Sequence, residues 1–293
     1  MFDRIEKGLY WDKAWTLVSG CTPCSPGCTH CWALAMEKRF RPQKGIQIHP
    51  ERLDIPLKRK KPTVYAIWND LLHEDVPNNF LSDVFRILEK CPQHIFLVLT
   101  KRAKGMADYL DGYKIASNIW LCVTVCNQQE ADEKISILLK IQAAVHFISY
   151  EPALGPLIKW WLDGNCESER KPSWLICGGE SGPGARPMHP EWARLVRDQC
   201  QAAGVPFFFK QWGEWSADDE KRKMSRRTRW IHLDGTSSHP YPELSQYRSE
   251  LMCYIGKKVA GRILDGRTWD ELPEVKRRTI ENLSIYLRNS PDA

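Results

Sequence analysis

The sequence predicts an α/β protein built on a complete or partly open parallel (β/α) barrel with a C-terminal extension. Three observations predict it. Short apolar runs alternate with stretches of helical periodicity. The runs are apolar on both faces, as strands covered by helices must be. A polar cluster follows every run, which is where a parallel barrel gathers its chemistry.

The elements follow in order. A first strand at about Ala14 to Val18 leads into "SGCTPCSPGCTHCWA", Ser19 to Ala33. "TVYAIW" (Thr63 to Trp68) is the second strand and ends at "NDLLHED"; after it, Phe80, Val84, Ile87 and Leu88 recur at helical spacing within "NNFLSDVFRILEKC". "HIFLVLT" (His94 to Thr100) is the third and ends on Lys101 and Arg102. "IWLCVTV" (Ile119 to Val125) is the fourth, running into "TVCNQ" and a helix over Glu130 to Ile141. "VHFISY" (Val145 to Tyr150) is the fifth and ends on Glu151; "WLICGG" (Trp174 to Gly179) is the sixth and ends on "GGESG". A helix over Glu191 to Ala203 precedes the seventh, "PFFFKQW" (Pro206 to Trp212), which carries Lys210 and Gln211. A doubly wound open sheet is the alternative arrangement. Residues 1–215 are thus expected to form the barrel. From about Ser216 the chain turns charged and Pro- and Gly-punctuated before a helical tail, so 216–293 is expected to be a basic extension or cap packed on the barrel.

Bulk properties bound the function. A chain of 293 residues with 43% hydrophobic content can bury a core without stapling. It has no apolar run of membrane-spanning length, and "MFDRIEKGLYWDKAW" lacks the apolar core of a secretory signal, so a cytoplasmic protein with no membrane partner is expected. An odd total of eleven cysteines in a reducing compartment argues against a disulfide framework. The net charge of +6 is concentrated in "KRKK" (Lys58 to Lys61), "KRKMSRRTR" (Lys221 to Arg229) and Lys276 to Arg278. Such runs permit a nucleic-acid partner, with solvated surface as the plain alternative. Thirteen tryptophans supply rings on which bases stack.

Four cysteines crowd the loop after the first strand. Cys24, Cys28 and Cys31 stand in C-x3-C-x2-C spacing, with Cys21 upstream. Four thiolates close a tetrahedral zinc site, with His30 as a spare donor, and three or four hold an iron–sulfur cluster. A purely structural zinc has less reason to sit at a catalytic rim. Among the other strand-end residues, Thr124 and Asn127 suit ribose contacts, and Lys101 and Arg102 suit a carboxylate or phosphate. Gly178 and Gly179 allow close backbone approach, and Glu180 suits an ammonium or ribose hydroxyls.

The string "GCTPCSPGCTHCW", "NDLLHEDVP", "LTKR", "FISYEPALGP", "ICGGESGPGARPMHPEW", "FFFKQWGEW" and "GKKVAGRILDGRTWDELP" resembles the radical S-adenosylmethionine (SAM) superfamily. More closely, it resembles the phage Gp37/Gp68-type three-cysteine-motif family, related in pattern to the spore photoproduct lyase branch. The resemblance covers most of the chain. It implies a 4Fe-4S cluster held by three thiolates, whose fourth iron chelates S-adenosyl-L-methionine, and reductive cleavage to a 5′-deoxyadenosyl radical that abstracts hydrogen. Cys28 and Cys31 are ligands under either spacing. Cys24 gives the superfamily's first ligand, and Cys21 gives the C-x6-C-x2-C of the narrower family. Asn69 and Asp70 occupy the position expected to meet the SAM amino group. The "GGE" motif follows the sixth strand here, where the superfamily has it after the second, and His30 stands where an aromatic residue is usual. Glu151, Glu180 and Lys210 are the expected catalytic groups, and base selection is expected of rim residues such as Glu151, Glu180 and Gln211. The function implied is modification, rearrangement or repair of a nucleobase, in DNA ahead of RNA, in the host cytoplasm if the chain is phage-encoded. An external one-electron donor is required, and a partner protein fits the same scheme. The alternatives are radical chemistry on a peptide or small metabolite, or a zinc-stabilised nucleic-acid-binding protein.

Overall fold

The computed structural model describes residues 4–40, 45–158, 170–218, 220, 223, 225, 227–238 and 248–274. Seven parallel strands form one sheet in chain order: β1 (Lys13–Thr16), β2 (Val64–Trp68), β3 (Ile95–Thr100), β4 (Ile119–Val125), β5 (Val145–Tyr150), β6 (Trp174–Gly178) and β7 (Phe207–Gln211). The sheet curls into a half-barrel whose edge strands β1 and β7 do not pair. Of the two closures the sequence allows, the partly open one is observed. Helices α1 (Trp32–Phe40), α2 (Asn78–Lys90), α3 (Ala103–Leu110), α4 (Gln128–Lys140) and α5 (Pro190–Ala203) follow β1, β2, β3, β4 and β6.

Strand parity divides the core into two parts. Val64, Ile95, Leu97, Trp120, Cys122, Val145, Phe147, Trp174, Ile176 and Phe208 alternate along their strands and pack on one another inside the curl. Their outward neighbours, such as Phe96, Val98, Leu121 and Ile148, pack with α2 residues Val84, Phe85 and Leu88 and their counterparts on the other helices. Both faces are therefore dry, which explains the uninterrupted apolar runs. The short α3 escapes the sequence reading because only Ala103, Met106 and Leu110 mark its buried side.

The N-terminal segment covers the open seam. Tyr10 packs edge-on against Trp174 and Phe208, with ring centroids 5.6 and 5.8 Å away. Gly8 lies so close to β7 that a Cβ would stand 2.8 Å from the Lys210 carbonyl oxygen. On the other side, Val64 N donates to Asp12 Oδ2 at 2.8 Å, so the same segment is tied to β2.

The extension is a second sheet. β8 (Trp215–Ser216), β9 (Thr228–His232), β10 (Ser237–Ser238) and β11 (Ser249–Tyr254) form an antiparallel sheet in the order β8-β11-β9-β10. A single turn, α6 (Lys257–Ala260), follows, and the chain returns along β7, where Phe209 N donates to the Trp269 carbonyl at 2.9 Å. Trp174 Nε1 donates to the Glu271 carbonyl at 2.9 Å, pinning the return to the barrel. The expected helical tail, Lys276 to Arg278, and Lys221, Arg222 and Arg226 of the second basic run lie outside the described residues. The Lys58 to Lys61 run precedes β2 and so sits at the N-terminal ends of the strands, opposite the cysteine loop. There Lys58 pairs with Asp54, and Arg59 Nε donates to Thr63 Oγ1 at 2.5 Å. Among the described residues, no helix is long and apolar enough to cross a membrane.

Candidate functional site

Above the inner apolar layers, strand parity turns Trp68, Lys101, Thr124, Ser149, Glu151 and Lys210 toward a cavity of about 500 Å³ at the C-terminal ends of the strands. The cysteine loop forms one side of it. Ser25 Oγ accepts from Gly27 N at 3.1 Å, starting a single 3-10 turn over Pro26–Cys28, and Cys31 N donates to the Cys28 carbonyl at 3.1 Å just before α1. Cys21, Cys24, Cys28 and Cys31 all line the cavity, and all four are free thiols. A hydrogen bond from Cys24 pulls the Cys28 thiol down to about 5 and pushes Cys24 up. Among the described residues, no three His, Cys, Asp or Glu groups are already gathered as metal ligands. The donor chemistry nevertheless fits a thiolate-bound metal: sulfur donors from one short loop, beside a cavity large enough for a further ligand.

Two arginines fasten this loop to the barrel. Arg102, just past β3, donates from Nη2 to Thr22 Oγ1 and the Thr22 carbonyl at 2.7 and 3.0 Å. Its Nη1 donates to Asp70 Oδ2 at 2.9 Å and lies 3.9 Å from Cys21 Sγ, and its Nε donates to Glu74 Oε2 at 2.6 Å. Asp70 also accepts from Thr100 Oγ1 at 2.6 Å, so its carboxylate is committed to holding Arg102. Arg186 donates from Nε and Nη2 to the two oxygens of Glu180 at 2.8 and 2.6 Å, and Nη2 reaches the Pro26 carbonyl at 3.0 Å. Asn69 takes a left-handed conformation, φ 62°, and its Nδ2 donates to the Val18 carbonyl at 2.7 Å.

The rest of the lining is charged and aromatic. Lys210 Nζ lies 2.9 Å from the Glu151 carboxylate and 5.6 Å above the Tyr10 ring, while Gln211 Nε2 donates to Glu151 Oε1 at 3.2 Å. Burial first, and the Glu151 charge second, raise the Tyr10 pKa well above its ordinary value. Lys257 arrives from α6. Burial of its ammonium, then the nearby Lys210 charge, lower its pKa. Glu214 fixes that arrival: Oε2 accepts from Lys257 N at 3.0 Å and Oε1 from Gly182 N at 2.9 Å. Trp11, Trp68 and Trp32 form the aromatic part, with successive centroids 5.3 and 4.8 Å apart.

Of the residues singled out by sequence, Cys21, Cys24, Cys28, Cys31, Asn69, Asp70, Lys101, Thr124, Glu151, Gly179, Glu180 and Lys210 line this one cavity. Asn127 does not: its Oδ1 accepts from Glu130 N at 2.9 Å and caps α4. Gly178 lies below the rim, where a Cβ would meet Glu151 at 3.3 Å. Gly179 is required by packing, since a Cβ would stand 2.0 Å from the Trp212 carbonyl oxygen. Sequence reasoning missed Trp11, Trp68, Arg186 and Lys257. Strand parity already marks Trp68 as inward-facing, but no local signal announces the other three.

Residues 6–273 match the family described as Protein of unknown function (DUF5131). No curated protein and no solved structure matches the chain.

Proposed function

The chain belongs to the DUF5131 family, and we propose that it is a radical SAM enzyme that modifies a nucleobase. The observation that carries this reading is the meeting of four thiols with cationic and hydroxyl groups at one rim of a parallel half-barrel. Cys28 and Cys31, with either Cys21 or Cys24, would hold a 4Fe-4S cluster, whose soft irons suit thiolate donors. When bound with SAM, the cluster supplies one-electron chemistry that abstracts hydrogen from an unactivated carbon.

The chain's own residues bind, orient and exclude water. Lys101 has no hydrogen-bond or ion-pair partner among the described residues, and its ammonium is offered to a carboxylate in the cavity. Thr124 presents a hydroxyl on the same inner face, suited to a ribose. Asn69 has its amide nitrogen committed to Val18, which leaves Oδ1 for an ammonium group. Asp70 and Glu180, both bound to arginine, position the cysteine loop from the wall of the same cavity. The Glu151 and Lys210 pair holds a proton at Lys210 Nζ, deep in the cavity, where Leu99 and Ala66 help exclude water. A nucleobase is favoured over a peptide because three tryptophans flank the cavity. DNA is placed ahead of RNA on the resemblance alone.

Anaerobically reconstituted protein given SAM and a strong reductant tests the reading. Release of 5′-deoxyadenosine is expected. Iron-loaded protein that leaves SAM intact under those conditions would overturn it.

A further inference from the structure

We infer that the strip from Lys257 through Lys210 and Tyr10 to Trp11, Trp68 and Trp32 is a subsite for one nucleoside monophosphate, with the base on the indoles and the phosphate on Lys257. This rests on the nucleobase reading above and adds which groups hold the nucleotide.

From Lys210 to Trp32 the strip is linked by ring contacts and one step along the chain, and the Lys257 ammonium is near enough to feel the Lys210 charge. Lys210 Nζ stands 5.6 Å over the Tyr10 ring, Trp11 is the next residue, and Trp11 packs edge-on to Trp68 at 5.3 Å. Trp32 then meets Trp68 at 4.8 Å. Although it lines a cavity, Trp32 leaves 47% of its surface exposed. A half-exposed indole in a pocket wall gains most from a planar partner, and stacking of a base on such a ring contributes about 1–3 kcal/mol.

Charge distinguishes the two ends. Lys210 is neutralised by Glu151 at 2.9 Å. Lys257 has no hydrogen bond to its ammonium and no ion pair among the described residues, although the Glu151 and Glu214 charges act on it from further away, so its N–H donors are left for a ligand in the cavity. Desolvation and the Lys210 charge weigh against that ammonium while Glu151 and Glu214 favour it, and an arriving anion adds to the favourable side. Glu214 holds the Lys257 backbone against the Gly182 loop, which fixes where the charge is presented. Phosphate is the anion taken here because the nucleobase reading above supplies it on the same ligand as a flat ring. Trp68 ends barrel strand β2 and Trp32 opens α1, whereas Trp11 comes from the N-terminal segment over the seam and Lys257 from the extension. The two appended pieces thus complete the site together.

Calorimetric titration of the full chain tests this, before and after anaerobic reconstitution with iron and sulfide. The probes are the four 2′-deoxynucleoside 5′-monophosphates, their nucleosides, inorganic phosphate, and a short single-stranded oligodeoxynucleotide. A monophosphate is expected to bind at least tenfold more tightly than its nucleoside or phosphate. Lys257→Ala should reduce that affinity to the nucleoside level, Lys257→Arg should restore it, and Trp32→Ala should weaken it about tenfold with the fold intact by circular dichroism. Tighter binding of the oligonucleotide assigns the nucleotide to a polymer, and equal binding assigns it to a free metabolite. Iron loading and SAM cleavage without monophosphate binding would overturn the subsite while leaving the radical SAM reading in place. Complete displacement of the monophosphate by SAM would also overturn it, since the indoles would then belong to SAM's adenine. Monophosphate binding by a protein that takes up no iron would have the converse effect.

Discussion

Arg186 grips Glu180 through two nitrogens at 2.8 and 2.6 Å and reaches the Pro26 carbonyl with the second of them. One ion pair thereby connects the end of β6 to the cysteine loop. Arg186→Ala would leave a carboxylate that is only 5% exposed without its guanidinium, with the backbone N–H of residue 186 as its remaining donor. We expect a loss of about 2–3 kcal/mol in denaturant unfolding, below the full value for a buried pair because Arg186 retains contact with solvent. In a double-mutant cycle with Glu180→Gln, a coupling of at least about 1 kcal/mol is expected. Strictly additive losses would show that the contact positions nothing.

The chain segments around Gly179 and Gly213 cross backbone on backbone. A Cβ at Gly179 would stand 2.0 Å from the Trp212 carbonyl oxygen, and one at Gly213 would stand 2.1 Å from the Glu180 carbonyl oxygen. Gly179→Ala should cost about 3 kcal/mol or more in the unliganded protein. Gly182→Ala, at φ 99° with open space around it, should cost only about 1–2 kcal/mol. Equal effects would mean that Gly179 is free for a ligand, as its motif alone suggests.

The fold was legible because parallel strands dry on both faces are written as continuous apolar runs; β2 to β7 carry that mark, whereas β1, with Lys13 and Ala14 exposed, does not. The site was legible where strand parity governs it. Lys101, Thr124, Glu151 and Lys210 sit on the inner register, whereas Asn127 lies past the end of β4 and caps a helix. Glu180 reached the cavity but met Arg186, a partner six residues away that no spacing rule selects. Trp11 and Lys257 depend on how the two appended segments fold back over the barrel. Those contacts are long-range and leave no periodic trace. The Lys58 to Lys61 run shows the limit of composition, which flags charge without saying which end of the barrel carries it.

Stability should fall as pH drops through the histidine range. Burial lowers the pKa values of His94, His146 and His189 below 6.5, and His94 and His146 each have a ring nitrogen bonded to a carbonyl, at 3.0 and 2.8 Å. Below about 6.5 the unfolded chain takes up protons that the fold refuses, so stability is full above that pH and declines below it. Each such group contributes at most about 1.4 kcal/mol per pH unit. Urea midpoints should be flat from about pH 8 to 7 and decline toward pH 5.5, with a shallower decline in His146→Gln. A midpoint that rises on acidification would contradict the buried neutral histidines.

Glu151 and Lys210 form the polar pair at the inner end of the cavity. Glu151→Gln and Lys210→Met should retain the fold, iron content and SAM cleavage. Conversion of the nucleobase substrate should fall by roughly 10²–10⁴, the usual contribution of a positioned proton donor or acceptor. Product analysis beside 5′-deoxyadenosine release separates the two steps. Unchanged product formation would remove the pair from the chemistry.

The central claim is that the loop from Cys21 to Cys31 holds an iron–sulfur cluster, and the most direct test is iron and acid-labile sulfide per chain after anaerobic reconstitution. About four of each are expected in the wild type, with a broad absorption near roughly 400 nm, and almost none in Cys28→Ala or Cys31→Ala. One zinc per chain with no iron, or an undiminished cluster in either variant, would contradict it.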